Sequence, residues 1–92
     1  MAAAPKKDDL KASFEAAAVA AKNTKKKPDN ATLLKLYSYY KQATEGDVAG
    51  ERPGGFDFKG GAKYDAWAKL KGMTRDDAMS NYVKQVDKLN RE

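Results

Sequence analysis

The chain has 92 residues, 41% hydrophobic and 34% charged, which suits a single soluble domain with an economical core. It contains neither cysteine nor histidine, so disulfide staples, Ser-His-Asp and Cys-His chemistry, and the usual zinc and haem ligands are excluded. The formal charge of +5 sits mostly at the front: residues 1–28 hold seven lysines against three acids, while residues 29–92 hold eleven lysines or arginines against ten acids. A dedicated nucleic-acid binder would carry its basic residues as a stripe, and this chain does not.

Residues 1–7 (MAAAPKK) read as a flexible tail, with the folded domain expected over 8–92. A first helix is expected from Asp8 or Asp9, whose carboxylates suit a helix N-terminus. Leu10, Phe14, Ala17, Ala18 and Ala21 fall on one face of it. The stretch from Ala12 to Ala21 is interrupted by Ser13 and Glu15 and is too short to span a bilayer, so no stable membrane insertion is expected. Lys22 and Lys25–Lys27 follow, and Pro28 forbids continuation.

Asp29 and Asn30 are natural caps for a second helix, expected to run to about Thr44 and stop at Gly46. Its apolar stripe is Leu33, Leu36, Tyr37, Tyr40, Ala43 and Thr44. Residues 46–61 hold six of the seven glycines and read as a long loop, with Phe56 and Phe58 expected to pack back onto the body. A third helix is expected over Ala62 to Lys71, burying Ala66, Trp67 and Leu70 and ending at Gly72. Thr74 and Asp77 are spaced as a capping box for a fourth helix carrying Ala78, Met79, Tyr82, Val83, Val86 and Leu89. No β alternation occurs, so the class is all-α, four helices around a thin core.

Tyr37 and Lys41 are four residues apart and share one face of the second helix, flanked by Tyr40. Lys63 opens the third helix, and Tyr82 lies on the core side of the fourth. Two ammonium groups and a phenol can hold a phosphate, a tyrosine ring offers a stacking face for a base, and small apolar residues leave room for a hydrocarbon. On spacing alone, tyrosines that only pack and lysines that are only solvated are the commoner arrangement. A small basic nucleic-acid-binding domain, a module that binds a partner helix and, least of all, a thioesterase are the competing readings.

The segment Tyr37-Ser38-Tyr39-Tyr40-Lys41-Gln42-Ala43-Thr44, followed by Gly46-Asp47, resembles the signature of the acyl-CoA-binding protein family. The resemblance continues through Arg52-Pro53-Gly54, Asp57-Phe58-Lys59-Gly60, Ala62-Lys63, Ala66-Trp67, Lys71-Gly72, Asp77-Ala78-Met79 and Tyr82-Val83 and covers about residues 10–90. It implies an up-down-down-up four-helix bundle that binds medium- to long-chain fatty acyl-CoA without catalysis. By motif position, Tyr37, Lys41 and Lys63 would hold the 3′-phosphate of coenzyme A. Tyr40 would lie against the adenine, Tyr82 and Lys22 would reach the nucleotide, and Phe14, Ala18 and Leu34 would line the acyl channel. The resemblance further implies a cytoplasmic monomer with no cofactor, no metal and no nucleic-acid partner, in transient contact with acyl-CoA-using enzymes. The family often reads Gly-Lys-Ala-Lys-Trp where this chain has Gly60-Gly61-Ala62-Lys63-Tyr64, one cation fewer and a phenol in place of an indole.

Overall fold

The computed structural model describes residues 7–24 and 27–91. The expected tail falls on residues 1–6, outside the described part, apart from Lys7, which opens the first helix. Four helices follow in order: α1 (Lys7–Ala21), α2 (Asn30–Glu45), α3 (Phe58–Ala68) and α4 (Arg75–Arg91), with no strand among the described residues. No described helix is long and apolar enough to cross a membrane.

Local chemistry explains most of the boundaries. Asp29 caps α2 by accepting the Thr32 N–H at 2.8 Å, and the Thr32 side chain, followed by this N–H, holds its carboxyl below the usual range. Gly46 ends the helix with φ +82°, donating its N–H to the Gln42 carbonyl at 3.1 Å. Thr74 Oγ1 accepts the Asp77 N–H at 3.0 Å and starts α4. That helix carries Asp76 and Asp77 in its first turn and Lys88 and Arg91 in its last, matching its dipole at both ends.

The third helix departs from its expected span. It starts at Phe58, four residues early, and ends at Ala68, three residues early. The cause is Asp57, whose carboxylate accepts the Gly60 N–H at 2.9 Å. That cap draws Gly60 and Gly61, which read as loop residues, into the first helical turns. Residues 69–72 then form turns, and Gly72, at φ +93°, leads toward α4.

The side-chain contacts set the topology. Gln42, near the end of α2, donates to the Met73 carbonyl just before α4, so these helices run antiparallel. Trp67, near the end of α3, donates to the carbonyl of Gly46, so α2 and α3 run parallel. Lys11 and Phe14 of α1 line one cleft with Arg75 and Met79 of α4, which puts the starts of α1 and α4 at the same end. The order is therefore up-down-down-up. At backbone distance α2 packs on α3 and α4, and α1 packs on α4 alone.

The core lies along α4. Ala78, Tyr82 and Val86 are buried against Phe14 and Ala17 of α1 and against Leu36 and Ala43 of α2, with Met79, Val83 and Leu89 alongside. Burial of these groups supplies the main stabilisation, at about 1.5–3 kcal/mol for each large apolar side chain. The expected stripe of α2 is only partly buried. Leu33 and Tyr40 are 41% and 42% exposed, and Thr44 is exposed. The buried face is instead Leu36, Ser38, Gln42 and Ala43, because α2 packs against helices on two sides and its core face is rotated accordingly.

Phe56 and Phe58 also contradict expectation. They do not pack onto the body but stand 91% and 77% exposed. The loop is attached through other groups. Arg52 forms a two-pronged ion pair with Asp65 at 2.9 and 3.0 Å, and the Tyr64 hydroxyl donates to the Gly50 carbonyl at 3.0 Å. Gly61 makes room for the first of these, since a Cβ there would stand 2.8 Å from the Arg52 guanidinium. Gly61 and Tyr64 thus serve loop attachment on the outer side of α3.

Candidate functional site

The parallel packing of α2 and α3 sets two cation–ring pairs one helical turn apart. Lys63 of α3 lies 5.3 Å from the centre of the Tyr37 ring of α2. One turn further on, the donor helices exchange, and Lys41 of α2 lies 4.9 Å from the Trp67 ring of α3. The rings restrict where each ammonium group can go while leaving its N–H donors available. Lys41 also pairs with Glu45, the next residue along its own helix face. The structure therefore brings Tyr37 and Lys63 together and holds Lys41 about 6 Å along the seam.

On the other side of Tyr37, a three-ring cluster joins α1, α2 and α4. Phe14 stacks on Tyr40 with centroids 5.5 Å apart, Phe14 meets the Tyr82 edge at 5.1 Å, and Tyr40 lies 6.0 Å from Tyr82. Tyr82 is only 5% exposed, and its hydroxyl makes no hydrogen bond to a described residue. Burial, then the neighbouring Tyr40, pushes that phenol above its ordinary value, so it is a neutral donor at physiological pH. Tyr40 leaves part of its ring open to solvent, as a stacking surface requires.

Toward the start of α2 and α3 the seam opens into a groove of about 430 Å³. Leu33, Leu34, Phe58 and Ala62 form its apolar wall, with Asn30, Lys59 and Lys63 around them. Leu34 and Lys63 thus share one groove. Ala18 is half-buried against the core one turn from Phe14. Lys22 is exposed just past the end of α1, at the end of the bundle where α2 and α3 begin, and forms no ion pair with a described residue. The arrangement offers cations and phenols for a phosphorylated group, an open ring for a flat one, and an oily trough for a chain. No cluster of metal-ligating side chains occurs among the described residues.

Sequence reasoning missed the group that holds this face in register. Gln42 is fully buried, and its Nε2 donates to Asp47 Oδ1 at 2.9 Å and to the Met73 carbonyl at 2.8 Å. Asp47 Oδ1 also accepts the Gly72 N–H at 2.8 Å. The Trp67 indole donates to Gly46 at 2.8 Å, so one ring both anchors α3 and carries Lys41. The available signal was a glutamine within an otherwise apolar helical face, next to a Gly-Asp stop.

The family model described as acyl CoA binding protein matches residues 11–86. Acyl-CoA-binding protein homolog 1 of Caenorhabditis elegans is 48% identical over 77 residues, which is 84% of this chain and 90% of that one. The acyl-CoA-binding protein of Brassica napus is 46% identical over 80 residues, 87% of each chain. The crystal structure of Oryza sativa acyl-CoA-binding protein 2 superposes with a TM-score of 0.84 at 39% identity, covering 89% of this chain and 91% of that one. That of the Moniliophthora perniciosa protein gives 0.77 at 40% identity, covering 82% and 74%. The helix order, the buried glutamine clasp and the paired cations and rings all lie inside the matched span, and the chain belongs to the acyl-CoA-binding protein family.

Proposed function

We propose that this chain binds medium- to long-chain fatty acyl-CoA on the open face of α2 and α3 and carries it without chemistry. Membership of the family supports the ligand. The observation that carries the assignment of the face is the pair of ring-held lysines running directly into an apolar groove. In this reading Tyr37, Lys63 and Lys41 hold the 3′-phosphate, with Lys41 leaving Glu45 to do so. Tyr40 stacks on the adenine, Tyr82 donates its free hydroxyl to the nucleotide, and Lys22 closes over it from the end of α1. The acyl chain starts beside Phe14 and Ala18 and ends in the groove at Leu34.

The energetics divide the work. A lost hydrogen bond to the charged phosphate costs about 1.5–3 kcal/mol. Each buried methylene contributes about 0.8 kcal/mol, so two further carbons tighten binding roughly tenfold until the groove is full. Sequestered in this way, the thioester is kept off membranes and available as a soluble pool. The protein then acts as a cytoplasmic monomer over residues 8–92, with transient contact to acyl-CoA-using enzymes. It takes no cofactor and leaves the thioester intact. The nucleic-acid alternative has no counterpart in the family comparison.

Calorimetry with a series of acyl-CoAs, free CoA, free fatty acid and an acyl-CoA lacking its 3′-phosphate tests this reading. Affinity should rise with chain length and fall when the phosphate is removed. Equal affinity with and without the 3′-phosphate would end the assignment of the cationic face.

A further inference from the structure

The two cation–ring pairs on the open face differ in one respect. Lys63, over the Tyr37 ring, pairs with no carboxylate among the described residues. Lys41, over the Trp67 ring, pairs with Glu45. The ligand-free face thus presents one open cation and one already occupied by an acid of the chain itself.

Helix stability does not account for an acid at this position. Glu45 is the last residue of α2, where the helix dipole disfavours negative charge, and no basic residue stands in that turn. An exposed pair four residues apart stabilises a helix only slightly, and lysine before glutamate is the weaker of the two orders. The partners are also unequally fixed. The Trp67 ring is buried and its indole donates to the Gly46 carbonyl at 2.8 Å, so the platform under Lys41 stays in place. The Lys41 side chain is 24% exposed and that of Glu45 53%, so the carboxylate is the half that can swing into water.

A carboxylate and a phosphate compete for the same N–H donors of an ammonium group. We propose that Glu45 governs release of the ligand: it stands in for the phosphate on Lys41 while the site is empty, gives way as acyl-CoA binds, and reclaims the ammonium group as the ligand leaves. This rests on the reading of Tyr37, Lys63 and Lys41 as the holders of the 3′-phosphate. Lys63, with no acid beside it, takes the phosphate first, and Lys41 joins when Glu45 lets go. On the way out, Lys41 passes from one anion to another instead of being left bare. The internal competitor therefore lowers the share of the binding that the phosphate supplies and shortens the life of the complex.

Glu45→Gln keeps the side-chain length and the helix propensity, so the fold is not at risk. In stopped-flow displacement by excess unlabelled ligand, this variant should release a fluorescently tagged long-chain acyl-CoA roughly threefold more slowly than the wild type. The same tagged ligand lacking its 3′-phosphate should leave both proteins at one rate. In a Lys41→Ala background, Glu45→Gln should alter neither release. An unchanged acyl-CoA rate in Glu45→Gln, or equal slowing of the ligand without the phosphate, would overturn the release role. So would equal slowing in the Lys41→Ala background, which marks plain repulsion between Glu45 and the ligand. If the wild type released the two ligands at one rate, the reading of the phosphate holders would fail instead, which keeps the two ideas apart.

Discussion

The two ends of α2 are built differently. At its C-terminal end, Gln42, Gly46 and Asp47 bind Met73, Trp67 and Gly72 through three hydrogen bonds of 2.8 Å that join α2, α3 and the approach to α4, and Gln42 also donates to Asp47 at 2.9 Å. At its N-terminal end the same helix faces a groove, with Leu33 and the neighbouring Phe58 largely exposed. One end fixes the relative position of the helices and the other leaves space between them. The open end does not need stabilising contacts of its own because the spacing of α2 and α3 is already set at the fastened end.

The strongest way to break this contrast is Trp67→Ala. It removes a buried ring and the bond to Gly46, and it should cost about 3–5 kcal/mol in urea unfolding. Phe58→Ser at the open end should leave the unfolding midpoint almost unchanged. Lys41→Ala acts at the junction of the two regions. It should weaken acyl-CoA binding by roughly tenfold to a hundredfold in calorimetry, with little effect from the outward-facing Lys84→Ala.

Acid sharpens the comparison further. The Gly72 N–H, and secondarily Gln42, hold the Asp47 carboxyl below the usual carboxylate range. A depressed carboxylate stabilises the fold above its unfolded value, and that contribution is lost as pH falls through the folded one. Unfolding midpoints should therefore drop below about pH 4. In Asp47→Asn the drop should be smaller, with a lower midpoint at neutral pH. The smallest effect expected is from Glu45→Gln. Removing the counter-ion of Lys41 should tighten acyl-CoA binding by about threefold, since exposed pairs of this kind contribute under 1 kcal/mol.

Much of the fold was legible because its signals are local. Asp29, Gly46 and Thr74 mark boundaries through bonds spanning three or four residues, and the apolar spacing of α4 shows its buried face directly. The start of α3 was hidden because Gly60-Gly61 signals a loop, and only the Asp57 cap overrides that. The exposure of Phe56 and Phe58 was not legible, since an aromatic residue carries no mark of whether a surface exists to cover it. At the site, the Tyr37–Lys41 spacing was visible within one helix. The exchange of partners between Lys41, Trp67, Lys63 and Tyr37 depends on α2 and α3 being parallel, and that follows from the clasp around Gln42 and Trp67.

The seating of α1 has a further consequence. Its backbone approaches α4 and no other helix, and it reaches α2 through the Phe14 and Tyr40 rings. A helix held along one seam can detach as a unit while the rest of the protein stays folded, so its amides should exchange with heavy water sooner than those of α2 or α4. A ligand spanning from Tyr40 to Lys22 would supply the missing second seam, and slower exchange confined to α1 would then mark the loaded protein.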